Sequence, residues 1–174
     1  TAICEWGKGS GKDHIASLVI LYIVYVLLCM KNPQKHLKMN DGEALDLLNV
    51  AMSSDQAGGI FFEKFKQRVL RWKWLKSKYS IKLSGINLGQ LKKQTEEEIQ
   101  NTVMVTRDAV LFPKQIRALS GHSKGETQEG HGLLCFVLDE AAGFDDADKI
   151  YNTLRSSAIS RFGDRYKCFI LSFP

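Results

Sequence analysis

Short apolar runs suited to strands alternate along this chain with longer ones suited to helices. Residues 2–4 (AIC) form the end of a strand and run into the polar, glycine-rich stretch Trp6-Gly7-Lys8-Gly9-Ser10-Gly11-Lys12-Asp13. The run that follows, residues 15–30 (IASLVILYIVYVLLCM), is apolar on every face and stops at Asn32-Pro33. It carries Ser17 and two tyrosines and is shorter than the roughly 20 residues of a membrane span, so it reads as a helix buried on all sides in a core. Residues 46–52 (DLLNVAM), short, apolar and bounded by polar groups, predict a buried parallel strand. Ser53-Ser54-Asp55 offer N-caps for a helix over residues 56–79.

Beyond residue 80 the pattern is less regular. Two β-like pieces, 81–83 and 102–105, flank a polar stretch at 92–100 that fits a surface helix or a loop. Residues 109–111 and 115–119 pair as a hairpin around Phe112-Pro113-Lys114. A polar loop at 120–132 leads into the apolar strand 133–138, which ends in Asp139-Glu140; a helix at 145–157 and a last apolar strand at 168–171 close the chain. Strands apolar on both faces alternating with helices predict an α/β fold: a mostly parallel central sheet flanked by helices, in three layers.

Composition narrows this. At 174 residues with 44% hydrophobic positions, 9 Phe, 5 Tyr and 3 Trp, the chain can bury one sizeable core, which excludes disorder. The net charge of +5 is unevenly spread. Residues 62–93 hold ten basic side chains against the single acid Glu63, whereas 139–148 hold five acids and no base. The first suggests a polyanionic partner, the second a metal or a helix start. Cys4, Cys29, Cys135 and Cys168 form no CxxC pair, and each reads as a small buried hydrophobe of a reducing compartment. The chain opens without Met and stops just after an apolar run, the pattern of a piece of a longer protein.

The glycine-rich stretch between strand and helix is where chemistry concentrates. Glycines at 7, 9 and 11 allow the backbone N–H groups of residues such as Ser10 to converge on phosphate oxygens at the positive end of a helix. Lys12, on the first helical turn, reaches the β- and γ-phosphates. The pattern departs from G-x-x-x-x-G-K-[ST] at Trp6 and at Asp13, where a carboxylate stands in place of a hydroxyl ligand of Mg²⁺. A carboxylate can still hold Mg²⁺, but adds negative charge beside the phosphates. The strand 134–138 ending in Asp139-Glu140 forms a Walker B pattern: Asp139 to hold Mg²⁺ through water, Glu140 to polarise the attacking water. Alone it reads equally as a strand with an acidic helix cap; the two patterns in order point to a P-loop NTPase of the ASCE type.

At these residues the chain resembles the ATPase part of the large terminase subunit, the DNA-packaging motor of tailed phages and herpesviruses. The matching stretches are 5–12 (EWGKGSGK), Leu48-Asn49-Val50-Ala51 with Gln56-Ala57, Phe136-Val137-Leu138-Asp139-Glu140-Ala141, Ser156-Ser157-Ala158 with Arg161-Phe162, and Ile170-Leu171-Ser172-Phe173-Pro174. The resemblance implies an ATP·Mg²⁺-hydrolysing motor that moves double-stranded viral DNA into a procapsid. It implies that Lys8 lies near the γ-phosphate, that Ser172 senses hydrolysis, and that Arg161 or Arg155 is either an arginine finger or an ordinary surface salt bridge. Its implied partners are a portal protein, a small terminase subunit and further copies of the chain in a homo-oligomeric ring, with no membrane. Its implied place is the host cytoplasm at the procapsid portal, not the mature virion. Residues 1–174 would be the ATPase domain alone, without the upstream adenine-binding segment or the downstream nuclease. A helicase-type P-loop motor and a nucleotide- or DNA-binding module without turnover are the alternatives. The basic helix presents either a solvated face or one that tracks DNA phosphates, and His122 and His131 read as loop surface.

Overall fold

The computed structural model describes residues 1–5, 11–51, 61–88, 101–122 and 132–172. Its elements are β1 (Ala2–Glu5), α1 (Lys12–Cys29), the single turn α2 (Pro33–His36), β2 (Leu45–Ala51), α3 (Phe62–Arg71), α4 (Lys73–Lys78) and β3 (Ser80–Leu83). After these come β4 (Thr102–Val105), β5 (Ala109–Phe112), β6 (Ile116–His122), β7 (Leu133–Asp139), α5 (Ala147–Phe162) and β8 (Lys167–Ser172).

The strands form one eight-stranded sheet in the order β1-β8-β7-β2-β6-β5-β4-β3. Only β5 runs against its neighbours, so the sheet is mostly parallel as its apolar strands predict. The reversal at the β5–β6 hairpin places Lys114 and Gln115 at positive φ, 64° and 56°. Lys114 then reaches back to donate from Nζ to the carbonyl of Leu28 at 2.7 Å, and also to that of Met30. These carbonyls end α1, whose last turn carries no basic residue of its own.

Helices cover both faces of the sheet. α1 and α3 pack Ile20, Val24, Phe62, Phe65 and Val69 against Leu45, Leu47, Ala118 and Val137. On the opposite face α5 and the turn before it bury Leu154, Ala158 and Phe144 against Leu48, Val50, Phe136 and Leu138. The alternation between these two clusters along β2, and along β7 from Cys135 onward, follows from the two-residue period of a strand; a register shift opposite Asp46 and Leu47 puts Leu134 and Cys135 in the same cluster.

Three expectations need correction. α1 is not buried on all sides: Ala16, Ser17, Ile20, Leu21, Val24, Leu27 and Leu28 face the sheet, but Ile15, Leu18, Tyr22 and Tyr25 are exposed. Its length and apolarity alone would let it cross a membrane, and an all-apolar run has no polar stripe to reveal that only one face packs. The helix expected over 56–79 is interrupted at Trp72, whose ψ of 101° separates α3 from α4. Trp72, Trp74 and Tyr25 close over the break, with ring centroids 5.4 Å apart for Trp72–Trp74 and 4.8 Å for Tyr25–Trp74. Cys29 is exposed, whereas Cys135 and Cys168 are buried as expected. Burial is the main cause that pushes both buried thiols up, Cys168 to about 12. Residues 53–60 with the expected N-caps, the stretch 92–100, the loop residues 123–131 with His131, and the side chains of Cys4 and His122 lie outside what is described.

Asp46, fully buried on β2, takes a two-pronged contact from Arg117 on β6: Nε to Oδ1 at 2.6 Å and Nη2 to Oδ2 at 2.8 Å. Arg117→Ala should destabilise the domain by about 3 kcal/mol, because it removes the guanidinium that balances a buried carboxylate. Urea denaturation of the two proteins checks this, and Asp46→Asn in the same background should recover part of the loss.

Candidate functional site

Because β1, β8, β7 and β2 are parallel, their C-terminal ends share one edge of the sheet. β1 and β2 follow one another in the chain yet have two strands between them, and such a switch point leaves a crevice where α/β sheets bind ligands. Gly11, Lys12, Asp13, Asp139, Glu140 and Ser172 all gather there.

α1 begins at this edge. Its N-cap Gly11 is left-handed (φ 83°, ψ 15°), a conformation that costs little only for glycine, and no side chain caps the helix. Ile15 N–H bonds to the Gly11 carbonyl at 3.1 Å, closing the first turn. An 18-residue helix thus presents its first N–H groups at the sheet edge, where an anion is favoured. Residues 6–10, with Gly7, Lys8, Gly9 and Ser10, lie outside the described residues.

Asp139 ends β7 and is buried, 8% exposed, and its Oδ1 has no hydrogen-bond partner. Its carboxyl is pushed up to about 6, first by burial, then by the charges of Asp13 and Glu140; Lys12 and the Glu140 backbone N–H pull the other way. Lys12, Asp13, Asp139 and Glu140 therefore lie within electrostatic reach of one another. Asp13 is 3.6 Å from Lys64 Nζ on α3. One turn along, Arg68 donates from Nη1 to Ser17 Oγ at 2.7 Å and from Nη2 to His14 Nδ1 at 2.6 Å. Part of the basic face of α3 is therefore turned toward the first turns of α1, with Lys64 still exposed.

Glu140 has φ 56° and ψ 45°. A non-glycine residue held there costs about 1–3 kcal/mol, and such strain gathers at functional positions. Ser172 ends β8 opposite Glu5 of β1, and its predecessor Leu171 is opposite Asp139. The candidate sensor thus stands on the strand between the glycine-loop strand and the acidic strand.

Arg161 is elsewhere. Its Nη1 lies 3.2 Å from Glu43 Oε2, just before β2, and beside Gly132, just before β7. That is the N-terminal edge of both strands, opposite Asp139. Arg155 is exposed on α5.

The donors at the C-terminal edge suit a divalent cation shared with phosphate. Asp139 offers a buried, unpartnered oxygen, and the surplus of carboxylates over Lys12 calls for positive charge. Among the described residues no group of three or more His, Cys, Asp or Glu can hold a metal unaided. That fits Mg²⁺, which takes one or two carboxylates and completes its shell with phosphate and water. Sequence reasoning missed Asn49, buried on β2 with both amide atoms unpartnered. Its signal was a lone amide inside the apolar run DLLNVAM.

Known proteins place the chain. It is similar to the "Uncharacterized protein MJ0330" of Methanocaldococcus jannaschii, 28% identical over 170 residues, which cover 96% of this chain and 27% of that protein. The chain thus spans about a quarter of that relative's length. Among solved structures, that of the HK97 bacteriophage large terminase superposes with a TM-score of 0.58 at 15% identity, over 98% of this chain and 28% of that one. At that identity the likeness is one of fold. A family described as "Uncharacterized protein MJ0330, N-terminal P-loop domain" matches residues 1–174. Over its whole length, then, this chain belongs to the family of the MJ0330 N-terminal P-loop domain.

Proposed function

We propose that this P-loop domain hydrolyses ATP with Mg²⁺ as the motor of a terminase-type DNA translocase. One observation carries the reading: a buried Asp139 and a strained Glu140 face Lys12 and the open N-terminus of α1 across one sheet edge. The N–H groups of the first turn of α1 bind phosphate oxygens, and Lys12 offsets charge on the β- and γ-phosphates. Bound Mg²⁺ would neutralise phosphate charge and align the oxygens for in-line attack. Asp139 orients that cation, and Glu140 accepts the proton of the attacking water at its carboxylate. Lys8, by family resemblance, lies near the γ-phosphate, and Ser172 passes the state of that phosphate to β8. Arg161 serves a neighbour's nucleotide only if the neighbour presents its site to the opposite edge.

The cargo in this reading is double-stranded DNA held by its phosphates. Arg71, Lys73, Lys76 and Lys78 are exposed on α3 and α4 and suit that role, whereas Lys64 and Arg68 face α1. A portal protein, a small subunit, a homo-oligomeric ring and the host cytoplasm at the procapsid portal belong to the same proposal and rest on the terminase resemblance. A binding module without turnover is the second reading, favoured by the extra charge of Asp13.

Glu140→Gln should lower ATP turnover by roughly 10²–10⁴ while ATP still binds. Phosphate release and a nucleotide titration on both proteins check this; hydrolysis at the original rate by the mutant would contradict the assignment.

Asp139 generates a pH dependence. Its folded carboxyl is raised to about 6, so the neutral form is favoured on folding; that stabilisation is present at low pH and is lost as pH rises through about 6. Without nucleotide, Asp139→Asn should raise Tm by roughly 5 °C above neutrality and have little effect near pH 4. Mg²⁺-dependent ATP binding, which needs the charged form, should weaken as pH falls through about 6. Calorimetry across pH measures both.

Asp13→Thr should make ATP binding depend less steeply on Mg²⁺, since a neutral hydroxyl does not repel phosphate. Titration with and without Mg²⁺ gives the ratio of affinities. An unchanged ratio would assign Asp13 to Lys64 alone.

A further inference from the structure

Asn49 is 2% exposed, and neither its Nδ2 nor its Oδ1 has a partner. Among the described residues the other buried side-chain atom in this condition is Asp139 Oδ1. A folded core leaves few such atoms, and each calls for a water, an ion or a functional role. These atoms are not scattered. β2 and β7 are adjacent and parallel, and Asn49 is abreast of Val137, so Asn49 and Asp139 share the face covered by α1 and stand two residues apart in level. Strand spacing and rise put their Cα atoms roughly 8 Å apart on that diagonal, too far for direct contact and suited to one water between the side chains.

On this face Leu45 and Leu47 precede Asn49 on its strand, Cys135 and Val137 precede Asp139, and Ser120 of β6 stands abreast of Asn49. On the flank away from β7, Asn49 borders a void of about 10 Å³ lined by Ile20, Leu47, Phe61, Phe62, Phe65 and Ala118, about the size of one water. A leucine there would fill space and remove two unpartnered polar atoms. An amide at this position costs the fold stability, the pattern of a residue kept for function.

We infer that Asn49 is a positioning residue of the nucleotide site: through a shared water its amide fixes the free oxygen of Asp139, and so the carboxylate's orientation toward the cation. The inference rests on the nucleotide reading above. It assigns Asn49 no contact with substrate; it acts through Asp139. Groups that orient a metal-binding carboxylate commonly govern affinity by 10–100-fold.

The test compares wild type, Asn49→Leu, Asn49→Ser and Asn49→Ala in the 174-residue chain, by thermal melting without nucleotide and by ATP titration with and without Mg²⁺. Asn49→Leu should raise Tm yet weaken Mg²⁺-dependent ATP binding about tenfold, leaving Mg²⁺-free binding unchanged. Asn49→Ser, which can still hold a water, should keep most of the Mg²⁺ dependence. A merely structural amide would move Tm and not this ratio. If Asn49→Leu binds Mg·ATP as wild type does, Asn49 holds a structural water only and the inference is overturned. If Asn49→Leu does not fold, Asn49→Ala against Asn49→Ser decides: weaker Mg²⁺-dependent binding in Ala supports the inference, and equal binding overturns it. Wild type that fails to bind ATP at all sinks the nucleotide reading and this inference with it, whereas normal wild-type binding with unchanged mutants sinks the inference alone.

Discussion

The parallel run of β1, β8, β7 and β2 obliges the strands to end on the same side, and the proposed chemistry depends on that alignment. It sets the start of α1 against the end of β7, and so brings the helix N-terminus and Lys12 toward Asp139 and Glu140. Parallel strands need crossovers, and the crossovers supply the two helical layers that bury the sheet. Burial in turn takes Asp139 out of water, which raises its carboxyl toward neutrality. One topological choice thus yields a dry sheet, an open helix end and an acid that keeps its proton up to about pH 6.

α3 ties into the same edge from outside the sheet. Lys64 faces Asp13, and Arg68 bridges His14 and Ser17, so its basic residues hold the first two turns of α1. Since arginine has no acceptor, His14 Nδ1 must accept, which fixes its neutral tautomer in this arrangement. The lysines of α4 stand past the Trp72 break and remain exposed. Charge that looks continuous in sequence is divided between contacts to α1 and open solvent.

Much of the fold was legible in the sequence because strands apolar on both faces announce a covered parallel sheet, and β2, β4, β7 and β8 fall where the runs lie. The acidic pair at the end of β7 was legible for the same reason: a run of Leu, Cys, Phe and Val ending in Asp-Glu can only leave the sheet there. What was hidden depends on tertiary contact. Nothing local shows that α1 packs by one face, since Leu18 outside and Leu21 inside are the same residue type. The break at Trp72 involves neither Gly nor Pro; aromatic packing with Tyr25 and Trp74 accompanies it. The placement of Arg161 beside Glu43 joins residues 118 apart, and no spacing rule reaches that far.

The left-handed backbone of Glu140 has a thermodynamic consequence. In the proposed mechanism a carboxylate on a freely rotating turn would have to be ordered each time nucleotide binds, and the loss of that freedom would be subtracted from the affinity. Here the main chain is already confined by the end of β7 and by the Gly143 N–H bond to the Glu140 carbonyl at 2.8 Å. The entropy is surrendered once, when the domain folds, and is drawn from the stability of the whole sheet. Ligand affinity is thereby relieved of it, and a less stable domain is the counterpart of a main chain confined before anything binds.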